Sequence, residues 1–145
     1  MKFILSFLII VLFFSCGAGL SKEEKNKKNI ENKIMEVMEV HDSVMPKTGN
    51  IFKLKKKLSS IEKALNDSIQ LKEIYSVKQE LVAADDAMMQ WMHEFKEADP
   101  YMEFEEKMKY YDNEKNKIIR IRNLIHESIL RAEKTIDKYE LDTLR

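Results

Sequence analysis

The chain has 145 residues, with 25 Lys and Arg against 25 Asp and Glu and a single cysteine. That length holds one domain with a modest core, a lone cysteine excludes an internal disulfide, and charge balance argues against nucleic acid as a partner. Strand-forming runs are scarce and there are only 3 glycines, so the composition is that of an all-helical protein.

The amino terminus reads as a signal. Lys2 supplies a short positive region, and Phe3 to Phe14 is an apolar run of 12 residues, too short to span a membrane. Phe13-Phe14-Ser15-Cys16 follows, a small residue just before the only cysteine. This resembles the lipobox of bacterial lipoproteins, with Phe13 where a leucine is usual. The resemblance implies a signal peptide over residues 1–15 and an acylated Cys16 as lipid attachment. Residues 16–21 would then form a short tether, and 22–145 a single helical domain in the cell envelope, anchored to a membrane and most simply the outer one. Setting Lys2 aside leaves the mature part about one charge negative.

The first helix is expected over 22–66. Ser21 with Glu24 has capping-box spacing, and Ile30, Val37, Val44, Ile51, Leu58 and Leu65 recur every seven residues, with Val40, Leu54 and Ile61 as a second row. Pro46 and Gly49 interrupt that register without shifting it. A proline costs about 3 kcal/mol in a helix interior, yet a loop would rarely hand the heptad on in phase, so a single helix kinked at Pro46 is predicted.

Asn66-Asp67-Ser68 marks the first turn. A second helix is expected over 68–98, with Ile74, Leu81, Met88 and Phe95 on one row and Val77, Ala84 and Trp91 on the other. Asp99-Pro100 reads as the N-cap and first residue of a third helix over 100–141. There Phe104, Tyr111, Ile118, Ile125, Ala132 and Tyr139 repeat, flanked by Met108, Ile121, Ile129 and Ile136. Tight turns make sequence neighbours antiparallel, so the expected fold is an elongated, antiparallel three-helix bundle with coiled-coil-like heptads.

Turns centred near residues 67 and 99 would place His41 level with His93, Met45 with Met89, and Met88 and Met92 near Tyr110 and Glu106. The eight methionines after the initiator then gather toward one end. A thioether and imidazole cluster suits Cu(I) in an oxidising compartment, so His41, Met45, Met88, Met92 and His93 are candidate metal ligands, with copper as the implied cofactor. The bland alternative is that methionine fills gaps around a kinked helix and the protein holds no cofactor.

His41-Asp42-Ser43 contains the residue types of a hydrolytic relay, but neighbours about 100° apart on a helix are not expected to form one. No nucleophile elbow, glycine-rich phosphate loop or zinc-ligand motif occurs, and no catalytic residue is assigned. Lys53, Lys55, Lys56 and Lys57 are expected level with Lys78, Lys115, Lys117, Arg120 and Arg122. Such a belt could receive an anionic surface, but Glu62, Glu73, Glu80 and Glu114 lie among these cations and favour a salt-bridged exterior.

Two segments carry a further resemblance. His41-Asp42-Ser43-Val44-Met45-Pro46-Lys47 running into Leu54-Lys55-Lys56-Lys57-Leu58, and Asp85-Asp86-Ala87-Met88-Met89-Gln90-Trp91-Met92-His93-Glu94-Phe95, are similar to small helical lipoproteins of Bacteroidetes-type bacteria. These often bear the inherited label viral A-type inclusion protein. The resemblance implies the helical fold and the lipoprotein address and assigns no activity. The functional expectation is a non-catalytic binding or structural module that meets the membrane through Cys16 and offers its Met-rich end to an envelope protein. The alternative is a Cu(I)-binding or buffering lipoprotein.

Overall fold

A computed structural model describes residues 20–143, with side chains to Glu140, so the predicted signal, Cys16 and nearly all of the tether lie outside the described residues. Three helices make up most of the described residues: α1 (Lys22–Glu62), α2 (Ser68–Glu94) and α3 (Phe104–Thr143). They pack against one another as an all-α three-helix bundle. At about 1.5 Å per residue, α1 and α3 are rods of about 60 Å.

The heptad rows are the core. Val37, Val44, Ile51 and Leu58 of α1, Ile74, Leu81, Met88, Val77, Ala84 and Trp91 of α2, and Tyr111, Ile118, Ile125, Ala132 and Tyr139 of α3 are all buried. α1 passes through Pro46 and Gly49 without a break, as its unshifted register required. Two hydroxyls beside the proline turn back onto the helix. Ser43 donates to the Val40 carbonyl at 2.7 Å and Thr48 to the Met45 carbonyl at 2.9 Å.

Both helices of the first hairpin are capped at their N-termini as the residue types demand. Ser21 Oγ accepts from the Glu24 amide while Glu24 reaches back to the Ser21 amide. Asp67 accepts from the Ile69 and Gln70 amides at 2.8 and 2.9 Å. α1 stops at Glu62 rather than 66 because its last turn tightens: the amides of Ala64 and Leu65 donate three residues back, to Ile61 and Glu62.

The second connection differs from the expectation. α2 ends at Glu94, not 98, and α3 begins at Phe104, not 100. Asp99 and Pro100 are not a helix cap. They open a turn in which the Asp99 carbonyl accepts from the Met102 amide at 3.0 Å and its carboxylate accepts from the Tyr101 amide at 2.8 Å. Asp followed by Pro suits the first two positions of a β-turn as well as it suits a helix start, which is why the local sequence misled. Contacts with α3 decide between them. The Tyr110 hydroxyl donates to the Lys96 carbonyl at 2.7 Å, the Ala98 amide donates to the Tyr111 hydroxyl at 3.1 Å, and Lys107 donates to the Pro100 carbonyl at 2.7 Å.

Residues 95–103 therefore form a strap laid along the start of α3. The cross-helix pairs show how far it travels. Lys33 with Asp112, Lys115 with Glu36 and Lys57 with Glu140 set α3 parallel to α1. Lys138 with Glu73 and Arg131 with Glu80 set it antiparallel to α2. α2 ends level with about residue 40 of α1, whereas α3 begins level with about residue 25, a gap of about 22 Å that nine extended residues can cover. The bundle is three helices thick over most of its length and two helices plus a strap near its N-terminal end.

Candidate functional site

The most distinctive cluster lies where α2 gives way to the strap. His41 of α1 and Met92 of α2 occupy the heptad position that faces the neighbouring helix, the same position used by Glu62 and Lys78, which pair at 2.7 Å further along. His41 Nε2 stands 3.3 Å from Met92 Sδ, and His41 Nδ1 stands 2.9 Å from Asp42 Oδ1. The Trp91 ring lies 5.7 Å from the His41 ring and 4.9 Å from that of Phe95. On its far side the Trp91 indole N–H donates to Glu114 Oε2 at 3.0 Å, and Lys117 donates to the other oxygen of Glu114 at 2.6 Å. A continuous chain of contacts thus crosses the bundle from Asp42 to Lys117 through all three helices.

The structure sorts the expected metal ligands. His41 and Met92 meet. Met45 is partly buried against the core, four residues from His41, and Met88 is fully buried, four residues from Met92. His93, expected level with His41, is exposed; its neighbour Met92 takes that place. Met88 and Met92 were expected near Tyr110 and Glu106, but Trp91 is level with Glu114 instead, because the strap displaces α3 along the axis. Met35 and Met89 are exposed.

The expected separation of His41 from Asp42 is also corrected. Although they are adjacent on the helix, imidazole and carboxylate meet, with Nδ1 and Oδ1 2.9 Å apart. Ser43 takes no part, since its hydroxyl is committed to the Val40 carbonyl. Among the described residues no hydroxyl nucleophile is partnered with this imidazole, whose second nitrogen faces sulfur.

The basic belt does not assemble as expected. The displaced register puts Lys117 level with about residue 38 of α1 rather than 53, about 22–28 Å away from the Lys53–Lys57 turn. Lys57 pairs with Glu140, Lys78 with Glu62, Lys115 with Glu36 and Lys117 with Glu114. Lys115 holds the Glu36 carboxyl below its ordinary value, with Lys33 adding to the effect. Lys138 and then the Tyr139 hydroxyl do the same for Glu73. Of the Lys57, Lys78, Lys115 and Lys117 pairs, three cross between helices and the fourth, Lys117 with Glu114, lies within α3, so each of these four cations has an acidic partner.

Glu114 is the residue that sequence reasoning placed wrongly. It was counted among surface charges, yet it is 4% exposed. Its signal was present: it lies seven residues before Ile121, in a row that continues to Ser128 and Thr135. Those three, Glu114, Ser128 and Thr135, are the buried polar residues among those described. Ser128 and Thr135 donate to the carbonyls of Ile125 and Arg131, and no buried polar side-chain atom among the described residues lacks a partner. The row facing Trp91 and α2 is thus polar but satisfied.

A second feature flanks the groove between α1 and α2. Phe52, Tyr75 and Met89 are 71%, 60% and 57% exposed. Phe52 shares a heptad position with Met38 and Met45, and Tyr75 and Met89 share one with Val82. On both helices this position borders the one occupied by His41, Glu62, Lys78 and Met92, so the two apolar rows line the same groove at matching heights. This is also the slightest of the three helix interfaces. No helix is long and apolar enough to cross a membrane among the described residues. No protein-family model, curated protein or solved structure matches the chain.

Proposed function

We propose that this protein is a membrane-anchored lipoprotein of the bacterial envelope, held through acylated Cys16, whose bundle is a non-catalytic module that binds an envelope protein along the α1–α2 groove. The address rests on the sequence: a charged Lys2, the short apolar run and Ser15-Cys16. It agrees with the resemblance of the His41 and Asp85 segments to small helical lipoproteins. The observation that carries the binding role is the apolar border of one groove, Phe52, Tyr75 and Met89, along the slightest of the three helix interfaces. Scattered exposed apolar residues are ordinary, but two rows converging on one groove suit a partner surface. Methionines at its edge can repack around different shapes.

Two measurements test the reading in the intact lipoprotein. Palmitate labelling and membrane sedimentation should both disappear with Cys16→Ser. A photo-activatable side chain at position 52 or 89 should give one discrete adduct in the envelope, absent when the same group is placed at position 116 on α3. Retained labelling without Cys16 removes the address, and equal adducts from both faces remove the binding surface.

A further inference from the structure

The contact between His41 and Met92 has a chemical oddity. A carboxylate only accepts hydrogen bonds, so at 2.9 Å from Asp42 Oδ1 the Nδ1 atom of His41 must carry a proton. In the neutral ring that leaves the lone pair on Nε2. This lone pair is aimed at Met92 Sδ, 3.3 Å away, whose own available electrons are also lone pairs. A second proton on Nε2 would find a thioether as its acceptor, and thioether sulfur is a weak one. An imidazole nitrogen and a thioether sulfur, both soft-metal ligands, thus stand 3.3 Å apart, with a carboxylate fixing the far nitrogen as it does for metal-ligating histidines.

We propose that His41 Nε2 and Met92 Sδ are the central ligands of a soft-metal site that takes Cu(I). Imidazole with thioether selects that ion over hard cations, and methionine remains a ligand where free thiols are oxidised. Bonds of about 2.0 Å to nitrogen and about 2.3 Å to sulfur, typical of first-row metals, fit a 3.3 Å separation at an angle of about 100°. Such an angle leaves room for a third ligand. Met45 and Met88 are each one helical turn from a member of the pair, on the same face, and are the candidates for a third thioether. Asp42 acts as a positioning residue. His93 is excluded from this set by its exposed place on the next face of α2. The proposal goes beyond the partner-binding reading; it takes the oxidising compartment from the proposed address and does not depend on the groove.

Silver(I) serves as the redox-inert probe, in chloride-free buffer, with the full chain in detergent micelles and Cys16→Ser throughout so that no thiol competes. Trp91, the single tryptophan, lies beside His41 and reports occupancy by its emission. One tight equivalent should quench it, and Zn(II) should not. Met92→Leu keeps the side-chain volume and His41→Gln keeps polarity; each should weaken the tight equivalent at least tenfold with the unloaded melting curve little changed. Asp42→Asn, which touches no metal, should weaken it about ten- to a hundredfold. Titration of Met92→Leu or His41→Gln indistinguishable from the parent would overturn the site, as would loss in all variants only after unfolding seen by circular dichroism.

Discussion

The two ends of this bundle share one heptad and are filled differently. Toward the α1–α2 turn the core is mostly hydrocarbon: Leu58, Ile74, Val77, Leu81, Ile125, Ala132 and Ile136, with the buried Ser128 and Thr135 hydroxyls turned back onto carbonyls of their own helix and the Glu73, Lys138 and Tyr139 cluster at the margin. Toward the N-terminal end the same rows hold Trp91, Glu114, Tyr111 and Met88, with His41 and Met92 at the edge. The difference follows from where α2 stops. Three helices can exclude water with aliphatic side chains alone. Where a strap replaces the third helix its backbone amides and carbonyls need partners, and the hydroxyls of Tyr110 and Tyr111 supply them. Burial correspondingly pushes the Tyr110 hydroxyl above its ordinary pKa.

The largest test of that contrast is Trp91→Ala. It should cost about 3–5 kcal/mol in a denaturant melt, since it opens a cavity and strips Glu114 of one partner. Leu81→Ala, in the aliphatic end, should cost about 2–5 kcal/mol. The two differ in where they act: only the tryptophan variant should speed amide exchange at Ala98 ahead of global unfolding. Equal protection of the strap in both variants would mean that the ends are one cooperative unit.

Pro46→Ala comes next. The helix is unbroken there and the side chain is exposed, so alanine restores an amide donor and should stabilise by about 1–3 kcal/mol. A loss of stability instead would show that the proline shapes α1 for its contacts with α2. Gly49→Ala should add about 0.5–1 kcal/mol, because nothing lies within 4 Å of the added methyl and the residue is already helical.

The smallest effect separates the ends by pH. Glu73 at the aliphatic end and Glu36 nearer the Met-rich end both have folded pKa values below the ordinary 4.5. Their contribution is therefore complete above that value and is lost as pH falls through the lower folded one. Glu73→Gln should flatten the acid side of the stability curve by about 0.5 kcal/mol or less, since the pair is partly exposed to water. The readout is the melting midpoint of both proteins between pH 5 and pH 2.5, a span chosen on either side of about pH 4 where carboxylates titrate.

Much of this was legible in the residues. A seven-residue period carried through Pro46 foretold an uninterrupted α1 because in-phase burial outweighs the local cost of one proline over many turns. The caps at Ser21 and Asp67 were readable because a short oxygen-bearing side chain acts on amides two or three residues away. Asp99-Pro100 was not, because two local structures satisfy that pair equally. Glu114 was misplaced because a charged residue in a core row can either end the row or be buried with partners, and Trp91 and Lys117 come from elsewhere in the chain.

Periodicity, caps and turn residues by themselves determined three helices, their core faces and the up-down-up order, since each depends on neighbours within a few residues. Tertiary structure alone decided how far α3 slides along α1, and with it which charges pair, that Met92 rather than His93 meets His41, and that the Lys53–Lys57 turn stays apart from Lys115–Arg122. The physical reason is that a helix face repeats along its length, so many axial offsets bury similar apolar area. The strap's hydrogen bonds and the Trp91–Glu114 contact choose among them.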